Sequence, residues 1–252
     1  MQETITVAAR FRGPPESGNG GYVAGALAEC FPAEDPAAPD AAIEVTLRAP
    51  TPLDRQMRVI RPGADEVQLI LGETLIAEAR RTRLTLEIPE PPSFEAALAT
   101  RPQSPSFVEN INPLLPDGTG FHPICFCCGA DLEPDAGLHV YAAPVEGFQG
   151  VAAAWTPSVT FADPDGNLPE RILWAALDCP GQFAYYVDGI RTGMLGRMTG
   201  RFLKPVPAAQ NLRVIGWRLE VERSKHFAGT ALFDETGELC GYSRQVWIGR
   251  RD

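Results

Sequence analysis

The chain has no apolar run approaching the ~18 residues of a membrane-crossing helix. Its first residues, Met1-Gln2-Glu3-Thr4-Ile5-Thr6, carry neither the basic nor the apolar region of a secretory signal. Both absences predict a cytoplasmic protein with no membrane partner. Cations are outnumbered: 22 Lys and Arg against 32 Asp and Glu leave a net charge of −10. With no basic stripe to neutralise phosphates, nucleic acid is not an expected partner. An anionic small molecule needs only a few local cations and stays open. Histidine is scarce, at three residues. No spaced His pair and no second Cys-x-x-Cys completes the zinc pattern begun by Cys125 and Cys128, so no metal is expected. No Lys-Ser or Lys-Thr pair follows the glycines at 13–21, which excludes a Walker phosphate loop.

The apolar content, 44% of 252 residues, suffices for a real core in one large domain or two ordinary ones. The most informative stretch is 167–186. From Ile172 to Ala184 apolar residues surround a predicted helix, which marks it as buried, and one acid, Asp178, stands in its middle. Pro169 suits the first turn; Pro180 and Gly181 predict a kink or restart just after the acid. A carboxylate in such surroundings is costly to ionise unless paired. Asp178 is therefore either a cap of the segment starting at Pro180 or a tuned catalytic group.

Along the chain, Thr4 to Ala8 reads as a strand, 11–21 as a turn-rich loop, and Tyr22 to Phe31 as a second apolar helix. After a Pro/Ala/Asp linker come strands at Ala42–Leu47, Arg55–Arg61, Glu66–Leu71 and Thr74–Leu86, the last two joined at Gly72-Glu73. Residues 89–120 hold seven prolines and read as a connector with one short helix at Phe94–Ala99. The order then recurs: strands at Gly137–Ala142 and Gly150–Trp155, the helix at 168–186, and a meander of Met194–Leu203, Leu212–Glu222, His226–Phe233 and Glu238–Ile248. Asp234-Glu-Thr-Gly237 supplies the turn before the last strand. A repeat of roughly 120 residues, one helix and one meander in each copy, is the architectural expectation.

Four segments carry a resemblance. They are Asn19-Gly20-Gly21 at the start of the first helix; Cys125-Phe-Cys-Cys-Gly129 followed by Gly137-Leu138; Leu177-Asp178; and the ending Gly237-Glu-Leu-Cys-Gly-Tyr-Ser-Arg-Gln245-Val-Trp247. Together they resemble the double-hotdog acyl-CoA thioesterases, of the acyl-CoA thioesterase II and phenylacetyl-CoA thioesterase kinds. The resemblance implies an α+β fold of two tandem hotdog domains, each an antiparallel sheet wrapped around a central helix. They would occupy 1–88 and 123–252, with a Pro-rich connector at 89–122. It implies hydrolysis of an acyl-CoA thioester between the two halves, with no cofactor besides the coenzyme A of the substrate. Asp178 would be the catalytic acid of the helix, Gln245 its glutamine partner, and Thr199 the nearest match to the family's hydroxyl. Asn19-Gly20-Gly21 stands where single-domain relatives have His-Gly-Gly. In the second copy that segment reads Pro169-Glu170-Arg171, opposite Ala28 or Glu29. One intact site per chain, with a degenerate counterpart, is the expectation.

The chemistry asks for a base to activate water and donors for the carbonyl oxygen as it becomes an oxyanion. Asp178 suits the first, and the amides of Gly20 and Gly21 at the positive end of a helix suit the second. Asn19 reads as a water ligand or equally as a helix N-cap. Gln245 reads as a second water ligand or as an outward polar residue on a terminal strand. Arg201 and Lys204 are candidates for coenzyme A phosphates, or solvated surface. The cluster His122, Cys125, Cys127, Cys128 reads as a reduced, packed loop ahead of a zinc site. Cys179 is disfavoured as a nucleophile because the adjacent Asp178 would raise its pKa. A non-catalytic acyl-CoA binding protein is the alternative from another class. A hydratase ranks lower, since His226 has no paired Asp. Homo-oligomerisation through the outer sheet edges is left open.

Overall fold

The structure, a computed structural model, describes residues 3–32, 40–109, 111–112 and 114–249. The Pro/Ala/Asp linker after the first helix falls mostly outside these residues. The strands are β1 (Thr4–Thr6), β2 (Ala41–Leu47), β3 (Gln56–Gly63), β4 (Glu66–Leu71), β5 (Thr74–Arg83), β6 (Ala143–Pro144), β7 (Val151–Trp155), β8 (Met194–Phe202), β9 (Leu212–Glu222), β10 (Lys225–Phe233) and β11 (Leu239–Ile248). The helices are α1 (Gly20–Ala28), α2 (Phe94–Thr100), α3 (Glu170–Ala176) and α4 (Asp178–Tyr186).

Among the described residues the eleven strands form one sheet in the order β1-β3-β4-β5-β2-β8-β11-β10-β9-β7-β6. Every neighbouring pair in that order runs antiparallel, as expected of meanders joined by short turns. Strands from the first half of the chain lie on one side of the β2–β8 seam and those from the second half on the other. The seam is registered from Ile43 opposite Gly200 to Thr46 opposite Arg197. The β4–β5 and β10–β11 hairpins turn at Gly72 (φ 61°) and Gly237 (φ 93°), where a left-handed backbone calls for glycine.

Helices α1 and α3 pack against each other on the inner face, and they run antiparallel: Gly21 meets Ala175 and Asp178, while Gly25 meets Arg171. The approach is closer than side chains allow. A Cβ on Gly25 would lie 2.5 Å from the Arg171 Cα, and one on Gly21 3.0 Å from the Ala175 Cα. The helix read at 168–186 is two helices, broken at Leu177. Pro180 has no N–H to offer the Ala176 carbonyl four residues back. That oxygen lies instead 3.9 Å from the Cys127 thiol. The break sets Asp178 at the start of α4, facing the first turn of α1.

Two segments differ from expectation. Residues 137–142 are not a strand of the sheet: Leu138 and Val140 donate their N–H groups to the carbonyls of Phe126 and Cys127 at 2.7 and 2.9 Å, and His139 takes φ 56°. Loop-to-loop pairing and one left-handed residue remove this run from the ladder. The Pro-rich segment does more than connect. Its helix α2, capped by the Ser93 hydroxyl at Ala96 N–H, buries Ala97 in a second apolar cluster with Ala152, Ile215, Trp217 and Phe233. It thus covers a face of the second-half strands. No described helix is long and apolar enough to cross a membrane.

Candidate active site

Asn19 caps α1, its Oδ1 accepting from Tyr22 N–H at 2.9 Å. That leaves the amide nitrogen to donate to Asp178 Oδ2, at 2.6 Å and 159 residues away in sequence. Gly21 N–H donates to the same oxygen at 3.1 Å. One carboxylate oxygen is thus held at the positive end of a helix, where a negative charge is favoured. Asp178 is 4% exposed, and its other oxygen, Oδ1, is buried with no hydrogen-bond partner among the described residues. Burial pushes the carboxyl up to about 7, with the nearby Cys125 adding to the rise; the Gly21 amide, Asn19 and the Gly20 amide pull against it. From the sequence, both glycine amides are expected to face a substrate carbonyl. The structure corrects this for Gly21, whose N–H is taken up by Asp178. Gly20 lines the adjoining pocket and Gly21 does not.

This pocket, about 250 Å³, opens at one end of the β2–β8 seam. Asn19, Gly20 and Asp178 form its polar floor; Leu47, Met194, Leu195, Trp247 and Ile248 give apolar wall, and Arg48 is also in the lining. His122 and Gln182 line it too, with His122 Nε2 3.1 Å from Gln182 Oε1. Gln182 Nε2 donates to the Gly193 carbonyl at 2.9 Å, which makes Oε1 the acceptor and His122 Nε2 the donor. Burial lowers the pKa of His122, favouring the neutral ring, so its Nδ1 is left as an acceptor. Sequence reasoning missed Gln182. Its signal was available: it stands one turn after Asp178, a second polar residue on an otherwise apolar helix.

Four other sequence candidates lie elsewhere or act differently. Gln245 is fully buried, against the outward-residue reading. Its Nε2 donates to the Leu177 carbonyl at 2.6 Å and its Oε1 accepts from Trp247 Nε1 at 2.8 Å. A side chain on Gly181 would collide with that amide oxygen, so the glutamine lies directly on the helix backbone and braces the break before Asp178. Thr199 faces away. Along β8 the inward positions Met198 and Gly200 flank it, Gly200 lying against the Trp174 ring, and the two-residue period turns Thr199 to the outer groove with Glu44, Arg197 and Arg244. Arg201 and Lys204 line a separate cleft with Pro169, Glu170 and Trp174, at the opposite end of the seam. Lys204 is held there by Asp234, at 2.6 Å, and Glu238. Neither cation reaches the Asp178 pocket.

At that opposite end the same geometry recurs with other residues. Glu29, the C-cap of α1, accepts from Arg171 N–H at 2.9 Å, as Asp178 accepts from Gly21 N–H. Arg171 Nε adds a charge-assisted bond to Glu29 at 2.6 Å.

No protein-family profile matches the sequence, and no curated protein is significantly similar to it. Solved structures share the fold across the whole chain. A tesB protein of Mycobacterium avium subspecies paratuberculosis superposes with TM-score 0.61 at 12% identity, covering 98% of this chain and 92% of that one. An acyl-CoA thioesterase II of Mycobacterium marinum gives 0.57 at 13%, covering 99% and 93%. A protein of Alicyclobacillus acidocaldarius, of unknown function and with a hot dog fold, gives 0.51 at 13%, covering 99% and 93%.

Proposed function

We propose that this chain, which has the fold of the hotdog acyl-CoA thioesterase II structures, hydrolyses an acyl-CoA thioester with Asp178 as its base. We read the strands on either side of the seam as two hotdog halves, so that the first half supplies Asn19 and Gly20 and the second supplies Asp178. One observation carries the reading: Asp178, in the floor of a pocket with apolar walls, has one oxygen clamped by Asn19 and Gly21 while the other is buried and has no partner among the described residues. A clamped carboxylate with one free oxygen is positioned to act on a single water.

In this reading the thioester carbonyl docks in the pocket beside Gly20. Asp178 Oδ1 takes a proton from water as the water oxygen bonds to the carbonyl carbon. Collapse of the tetrahedral species breaks the C–S bond, and the coenzyme A thiolate takes the proton back, leaving the free acid and thiol. Leu47, Leu195 and Trp247 would bear on the acyl chain. Binding without turnover is the second reading, favoured by the Gly21 amide being taken up by Asp178 rather than left to an oxyanion.

The test is release of free coenzyme A, read with a thiol reagent, from short, long and aromatic acyl-CoAs by the intact protein and by Asp178→Asn. Turnover that collapses in the variant, with its unfolding transition retained, is the expected result. Tight binding of acyl-CoA by both proteins without turnover on any of them would leave a binding protein.

A further inference from the structure

The six cysteines fall into two groups. Cys30, Cys127 and Cys240 each place their sulfur by a backbone carbonyl, those of Ala26 at 3.5 Å, Ala176 at 3.9 Å and Glu238 at 3.6 Å. Such thiols behave as small apolar groups with a weak donor, that of Cys127 lying also against Cys179. Cys125, Cys128 and Cys179 face one another instead. Their sulfurs all lie within 4.8 Å of one another, and all three residues are buried.

The chain builds this convergence from two directions. Cys125 and Cys128 lie on a tight turn closed by Gly129 N–H to the Cys125 carbonyl at 2.7 Å. Only glycine fits at its end, since a Cβ on Gly129 would sit 2.6 Å from that oxygen and 2.7 Å from the Cys125 nitrogen. Cys179, 54 residues beyond Cys125, arrives on the first turn of α4 with its sulfur 3.7 Å from that of Cys125. Two thiolates at about 2.3 Å from one tetrahedral zinc stand about 3.8 Å apart. The Cys125 to Cys179 separation is that of a zinc-bound pair without any movement of the backbone.

We propose that Cys125, Cys128 and Cys179 coordinate a soft divalent ion of the zinc class. Cys125 and Cys179 both line the Asp178 pocket, so the site adjoins it. Binding replaces the thiol protons, which pass to solvent, and ties the Cys125–Gly129 turn to the start of α4. The missing second Cys-x-x-Cys is thus no obstacle, because the third ligand comes from the helix. This inference does not depend on the hydrolysis reading.

The test uses the full chain, purified under reducing conditions without chelator. Elemental analysis gives metal per chain, and the protein is then stripped and titrated with Co2+. The expected result is an intense thiolate-to-cobalt charge-transfer band, with the visible bands of tetrahedral Co2+, saturating at one ion per chain and abolished by Zn2+. Cys128→Ser and Cys179→Ser should each lose most of the charge-transfer band, whereas Cys240→Ser should keep it. Wild-type protein with six titratable thiols that gives no such band would overturn the proposal, whatever the stability of the variants. So would a band that survives Cys179→Ser in a folded protein.

Discussion

The two ends of the β2–β8 seam follow one plan and differ in what fills it. At each end the first turn of a helix offers a backbone N–H to an acid on the other helix: Gly21 to Asp178 at 3.1 Å, Arg171 to Glu29 at 2.9 Å. At the first end the helix begins Asn19-Gly20-Gly21, so that helix brings only backbone and one small amide to the acid. Its second oxygen is buried beside a pocket, with no hydrogen-bond partner among the described residues. At the second end the helix begins Pro169-Glu170-Arg171, and the Arg171 guanidinium folds onto Glu29. An acid neutralised by a fixed cation is a poor base. Side-chain identity at three positions separates a site with chemistry available from one closed by an ion pair.

The sharpest way to break this comparison is to remove one acid at a time. Asp178→Asn should lower kcat for coenzyme A release by about 10²–10⁴, the usual worth of a positioned general base. Glu29→Gln should leave kcat at the wild-type value; equal loss in both variants would refute the asymmetry. The next effect concerns the glycines that let the helices approach. Gly25→Ala should destabilise the protein by about 1–3 kcal/mol in urea unfolding, because its new methyl group meets the Arg171 backbone.

Gln245→Leu should cost about 1–3 kcal/mol by leaving the Trp247 indole N–H without its acceptor. Activity per folded molecule should fall far less than in Asp178→Asn. A kcat loss as large, with stability intact, would restore Gln245 to the chemistry.

The smallest effect lies at the second end. Burial pushes the Asp234 carboxyl up, but the Lys204 ammonium, the Thr236 hydroxyl and the backbone N–H groups of Glu238 and Thr236 outweigh it and hold the pKa well below the ordinary carboxylate range. A depressed pKa contributes stability above the unfolded value of about 3.9 that is lost as pH falls through the folded one. Lys204→Met should therefore be less stable than wild type at neutral pH, and urea midpoints should converge in strong acid. A difference that widens on acidification would show that Lys204 acts otherwise.

By itself the sequence determined most of the elements and their order. Alternating strands, the glycine turns at 72 and 237 and the two apolar helices are local features, fixed by period and backbone preference, and they stand within a few residues of where they were read. It also singled out Asp178, because an acid on an all-apolar helix is conspicuous in one dimension. Tertiary structure decided what each polar side chain touches. Thr199 turns outward because pairing with β2 and β11 fixes its face, and the run at 137–142 leaves the sheet because it finds its partners in the Cys125 loop. Gln245 goes to a helix carbonyl, Lys204 to a hairpin turn, and Gln182 to His122. These pairings span long stretches of chain, and no period or propensity encodes them. The close approach of α1 and α3 likewise brings the cap of α1 onto Asp178 at the start of α4.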